Sequence, residues 1–183
     1  VYGICADIAL RKLTPSEASD RVEEIENPLT RIAGREIVPV FYGHASHLAF
    51  EAVPDFQGFT LPYPIGRGPD GRALLIPIRP AFVLLENERL KPVFLVGWGT
   101  LYLSDYQKQL ISTIIARSLL TQQDFLASDA EVLCLPRIKR TKVRDIRSWS
   151  VRSYALLSDA QLTDQFDRYG TALTQVVKRL RGE

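Results

Sequence analysis

Methionine is absent from this 183-residue chain, and cysteine, histidine and tryptophan occur only twice each. Cys5 and Cys134 lie far apart in apolar surroundings, which favours buried free thiols over a disulfide and a reducing compartment such as the cytoplasm. His44 and His47 are the only histidines. Three apart, they would share a helix face, but Glu51 is the nearest acid. Helix-end or surface roles are favoured, and no metal is expected. Long apolar runs are missing too. No stretch approaches the roughly 18 uncharged residues that span a bilayer, so no membrane is expected. Excess charge is small: 23 Lys and Arg against 21 Asp and Glu leave +2. Bulk charge therefore argues nothing about nucleic acid, and only its distribution can. Internal repeats and low-complexity segments are lacking. The chain starts Val1-Tyr2-Gly3 without a signal-peptide pattern, and the missing Met leaves open a segment ahead of Val1.

What is present describes a folded protein. Hydrophobic residues make up 46% and charged residues 24%, the balance of one domain, 1–183, with a real core. Val1 to Leu10 is apolar and reads as a strand or a short helix. Thr14-Pro15-Ser16-Glu17 is a capping box with Pro at the first helical position. Asn27-Pro28 is expected to end that helix. Arg35 to Tyr42, with Ile37, Val38, Val40 and Phe41, predicts a strand, and Gly43 to Val53 a short helix. Pro54 to Ile65 predicts an edge or bent strand. Gly66 to Gly71 predicts an exposed turn. It lacks the Lys-Ser/Thr and the helix that a phosphate loop needs.

The apolar centre of the chain is residues 73–135. Leu74 to Leu85 predicts a strand covered on both faces. Glu86-Asn87-Glu88-Arg89 turns the chain, and Val93 to Val96 pairs back. Ser104 and Gln107 form a capping box for a helix whose broad apolar face is Leu110, Ile111, Ile114, Ile115 and Leu119. Ala130 to Leu135 predicts another strand. Pro136 to Arg152 is basic and irregular, with room for a short helix. Ser158 and Gln161 cap a terminal helix, 158–181. Its apolar positions Leu162, Phe166, Tyr169, Leu173, Val176 and Leu180 follow a near-heptad stripe, which packs on the core or dimerises. The order predicts an α/β or α+β domain.

Arg79 to Leu135 resembles the core of the PD-(D/E)xK nuclease superfamily, the restriction-endonuclease-like fold. There a strand carries Pro-Asp, the chain turns, the next strand ends in Glu-x-Lys, and a helix crosses to a further strand. Here Arg79-Pro80-Ala81 stands in the place of Pro-Asp, and Gly97-Trp98-Gly99 in the place of Glu-x-Lys. The resemblance implies a central mixed sheet flanked by helices. In the family, the carboxylates hold Mg²⁺ and the metal and Lys prepare the attacking water. Ala81, Gly97 and Gly99 offer none of these groups, so the resemblance implies an inactive domain without a cofactor. The alternative is a Mg²⁺-dependent nuclease built from Asp55, Glu86 and Glu88, although Glu86 and Glu88 flank the expected turn.

One basic run stands out. Arg137, Lys139, Arg140, Lys142, Arg144, Arg147 and Arg152 are opposed by Asp145 alone, with Trp149 and Tyr154 among them. Such a segment suits phosphate contact and stacking on DNA or RNA, or a protein interface. Arg67, Arg72 and Arg79 form a second, smaller basic set. Asp105 and Gln107 are accounted for as helix-dipole partner and cap. The sequence thus predicts a catalytically inactive, nuclease-like scaffold that binds nucleic acid, a protein partner or a second copy of itself. The other readings are the active nuclease and an α/β interaction domain without nucleic-acid binding.

Overall fold

A computed structural model describes residues 1–47, 51–53, 59–68, 70–97 and 102–182, with residues 51 and 52 described by backbone alone. Three helices come first: α1 (Tyr2–Ala9), α2 (Pro15–Glu23) and α3 (Pro28–Ser46). The capping box at Thr14 and Glu17 opens α2 as the sequence predicts. Asn27-Pro28 does the opposite of what the sequence suggests. Instead of only ending a helix it starts one: the Asn27 side chain accepts the Thr30 N–H, and Pro28 takes the first position, where no N–H is needed. The strand expected over 35–42 is therefore part of α3. Ile37, Val38, Phe41 and Ala45 recur at three- and four-residue spacing, and all four are buried. That helical periodicity overrides the β-branched local content.

Five strands form the main sheet in the order β1 (Glu51–Ala52), β4 (Phe82–Glu86), β5 (Arg89–Val96), β6 (Glu131–Cys134) and β7 (Arg147–Ser150). β5 and β6 are parallel, joined by the crossover helix α4 (Asp105–Ser118), and the other pairs are antiparallel. β2 (Leu61–Arg67) and β3 (Ala73–Ile78) pair separately as a two-stranded sheet. The single strand expected over 74–85 is thus two strands in two sheets, parted at Arg79-Pro80-Ala81. Pro62, Pro64 and Pro77 have no N–H to offer a further neighbour, which suits β2 and β3 to an isolated pair. Within 136–152 the chain makes a tight turn and then β7, followed by a single turn of 3₁₀ helix, Val151–Ser153.

The sheet has a core on each face. On one, Phe82, Leu84, Val93, Leu133 and Leu135 meet Ile4, Ile8, Val22, Ile37 and Phe41 of α1 to α3. On the other, Val83 and Val132 meet Ile114, Ile115 and Leu119 of α4, together with Ile78 and Phe125. Each such side chain, fully buried, contributes about 1.5–3 kcal/mol. The molecule is a mixed α+β fold of helices, sheet, and a third layer of helix and hairpin. Helix α5 (Asp159–Arg181) is capped by Ser158 and Gln161 as expected and lies along β2. Its stripe divides: Leu162 is buried and Phe166 joins the second core, while Tyr169, Val176 and Leu180 are exposed. Cys5 and Cys134 are both free thiols. Burial pushes Cys5 up to about 12 and Cys134 up to about 11, the latter only partly offset by nearby Lys108. No described helix is long and apolar enough to cross a membrane.

Candidate nucleic-acid interface

Because β5 and β6 run parallel, their carboxyl ends share one rim of the sheet. β4 and β7 run the other way, so the residues entering them come to the same rim: Arg79 to Ala81 before β4, and Arg147, which pairs with Cys134. This is the rim at which open α/β sheets place their ligands.

Gly97, just past β5, ties the rim together. Its N–H donates to the Tyr2 hydroxyl (3.0 Å), and its carbonyl accepts from Arg144 Nη1 (3.5 Å). The position is crowded for a side chain. A Cβ built on Gly97 would stand 3.0 Å from Ile37 Cδ1 and 3.1 Å from Tyr2 Oη. Ala81 lies on the neighbouring strand, its N–H donating to the Val93 carbonyl (2.7 Å). Phe82 faces Val93, so Ala81 comes level with Phe94, and Gly97 lies three residues further along. Gly99, with Trp98, lies outside the described residues.

The alternative carboxylates sit at the opposite rim. Glu86 ends β4 and is held by Lys91 Nζ (3.0 Å), which also reaches Glu131 (3.1 Å). Glu88 occupies the hairpin turn with Asn87, both at positive φ, the backbone of a two-residue turn of type I′. Asp55 lies outside the described residues. Among the described residues no three Asp, Glu, His or Cys side chains gather to hold a metal, and Glu86 is already neutralised by a lysine. His44 lies in the last turn of α3 and His47 is its C-cap.

The basic run is shared between structure and surface. Arg137 and Arg144 face each other across an isolated bridge, and both grip Glu36 of α3. Arg137 binds it through Nε (3.0 Å) and Nη2 (2.7 Å), and Arg144 through Nε (3.0 Å). Arg144 also donates to the Leu135 carbonyl (2.8 Å). Its side chain is 3% exposed and that of Glu36 9%, so this is a buried lock. Arg147 pairs with Asp145 (3.0 Å) and lies 4.7 Å over the Tyr102 ring. Trp149 pairs with Val132 in mid-sheet and donates Nε1–H to Ser112 Oγ (3.1 Å). Arg152 is at the far rim, where it donates to the Ser128 and Leu126 carbonyls.

Lys139, Arg140 and Lys142 remain. They are exposed on the tip of a turn closed by Ile138 N–H donating to the Val143 carbonyl (2.9 Å), with Arg140 at φ 65. Their side chains have no partner among the described residues. The smaller basic set also splits. Arg67 donates to the Gly71 carbonyl and Arg72 pairs with Asp70, both in the β2–β3 loop, while Arg79 stands at the far end of β3.

Arg79 lines a cleft of about 540 Å³ between α1 and the β4–β5 hairpin, with Tyr2, Gly3, Asp7, Ala81 and Leu95. The cleft side of Tyr2 and the anchoring role of Glu36 are absent from the sequence reading. Glu36 leaves one signal, as the only acid between Pro28 and Ser46. Tyr2 leaves none beyond its place in an apolar run. Comparison with known proteins finds no matching family model, no matching curated protein and no matching solved structure.

Proposed function

We propose that this chain is a non-catalytic binding scaffold with a nuclease-like core, and that it contacts the phosphate backbone of nucleic acid through its basic turn. The observation that carries the reading is Gly97. Where the nuclease pattern needs a carboxylate, the chain has a glycine packed against Tyr2 and Ile37, and a side chain there would require both to shift. The order hairpin β4–β5, crossover α4, parallel β6 is in keeping with a restriction-endonuclease-like core. Lys139, Arg140 and Lys142 supply three cations beside that rim that have no partner among the described residues. Phosphate contact by mobile surface cations is salt-sensitive and sequence-tolerant. The two cysteines stand as free thiols, in keeping with a reducing compartment such as the cytoplasm.

The test is binding to labelled DNA and RNA at several salt concentrations, with and without Mg²⁺ or Mn²⁺. The expected result is salt-sensitive binding without cleavage, weakened when Lys139, Arg140 and Lys142 are all changed to Ala. Metal-dependent cleavage would instead support the nuclease built on Asp55, Glu86 and Glu88. Absence of binding at low salt would leave an α/β interaction domain. The exposed Tyr169, Val176 and Leu180 favour a second reading, in which α5 carries a protein contact. Light scattering over a concentration series tests self-association.

A further inference from the structure

We propose that the cleft between α1 and the β4–β5 hairpin holds one unpaired nucleotide, its base against the Tyr2 ring and a phosphate on Arg79. This inference rests on the nucleic-acid reading above and adds a preference for single strands over duplex. The cleft, about 540 Å³, lies within the size range of small-ligand sites. Ala81 and Leu95 give it an apolar lining that suits a base and not a hydrated phosphate. Tyr2 is 46% exposed, yet its hydroxyl is anchored by the Gly97 N–H, so the ring is already held before anything binds. Gly3, on the same wall, leaves open space where a side chain would stand.

The charge pattern agrees. Arg79 is exposed and its guanidinium has no partner among the described residues. Asp7, also lining the cleft, is taken by Arg21 (2.6 Å) and so does not neutralise it. Gly97 connects this cleft to the basic turn: Tyr2 holds its N–H, and Arg144, at the base of the turn, holds its carbonyl. In the proposed complex the strand that follows the turn continues to the cleft. In a duplex the bases are paired and stacked inside, out of reach of such a lining. Only an unpaired base can enter and stack on an aromatic ring, a contact worth roughly 5- to 150-fold in affinity.

Fluorescence anisotropy with the intact chain tests this, using one labelled 12-nucleotide strand alone and annealed to its complement. The strand alone is expected to bind tighter. Tyr2→Leu and Arg79→Gln should each weaken single-strand binding about fivefold or more and leave duplex binding unchanged. Tyr2→Phe, which keeps the ring, should retain the preference. The triple alanine variant of Lys139, Arg140 and Lys142 should weaken both forms. If single-strand binding survives Arg79→Gln and Tyr2→Leu but falls in the turn variant, the cleft assignment is overturned and the scaffold reading stands. If neither form binds the unmodified chain, both fall. Arg79 makes no hydrogen bond or ion pair among the described residues, so its variant keeps the test valid even if Tyr2→Leu unfolds the protein.

Discussion

Gly97 sits where two other side chains, Ile37 and Tyr2, crowd the place of a Cβ. A methyl group there would press on Ile37 Cδ1 and on the Tyr2 hydroxyl, each within about 3 Å. Gly97→Ala should cost about 1–3 kcal/mol, the usual range for overpacking, read as a lower midpoint in urea. A fall in stability without any change in tyrosine environment would contradict the contact. Lys91 behaves differently, because its charge is opposed and restored at once. Burial disfavours the ammonium, but hydrogen bonds to Glu86 and Glu131 outweigh that, and its pKa stands above the ordinary 10.5. A base whose folded pKa exceeds its unfolded one lends stability that is full below the unfolded value and lost as pH rises through the folded value. Stability should therefore drop above pH 10.5, and Lys91→Met should flatten that drop. Urea midpoints across the alkaline range check it. Parallel curves for the two proteins would remove Lys91 from the account.

The element on which the proposed binding rests is the short turn between Arg137 and Arg144, and α3 holds both of its ends through Glu36. Glu36 receives both arginines, and Arg144 is almost wholly buried. The benefit of such a lock over an apolar substitute is small, since burying the charges costs nearly what their attraction returns. Removing one partner is another matter. Glu36→Ala leaves two guanidinium groups without their shared carboxylate, and should cost about 3–5 kcal/mol. Arg144 keeps the Leu135 carbonyl, which places the expected loss toward the lower end of that range. Thermal melts give the value, and hydrogen exchange over 136–146 shows whether the turn loosens first. A melting temperature unchanged by Glu36→Ala would mean that the turn is held by its backbone alone.

Across the whole molecule, the two rims of the sheet differ in kind. At the hairpin-turn rim, Glu86, Lys91, Glu131, Arg152 and Asp129 are bound to one another or to nearby backbone. At the other rim, Arg79, Lys139, Arg140 and Lys142 have no partner among the described residues. The net charge of +2 conceals this difference, because it sums acids and bases wherever they lie on the molecule. Salt dependence follows from those four cations. Losing three phosphate contacts should make the slope of log K against log salt shallower by about 2.7 on duplex DNA. A slope unchanged in the turn variant would place the phosphate contacts elsewhere on the molecule. Replacing Arg137 or Arg144 should lower the melting temperature before it alters any slope, since those charges are spent on Glu36.

Features governed by neighbours along the chain were legible in the amino-acid order. The capping boxes at Thr14, Ser104 and Ser158, the turn after Glu86 and the buried helix α4 all need contacts only three or four residues apart. Where distant residues compete, local reading failed or stayed silent. Ile37 and Val38 look like a strand until the buried spacing through Phe41 and Ala45 makes them one face of α3. Leu74 to Leu85 is apolar on either side of Arg79-Pro80, and that interruption, read as part of one strand, is where one sheet ends and the next begins. The basic run holds seven cations within sixteen residues, but Glu36, 101 residues from Arg137 and 108 from Arg144, determines that two of them are structural. Charge pairing and close packing act through space, and the distances that settle them exist only once the chain has folded.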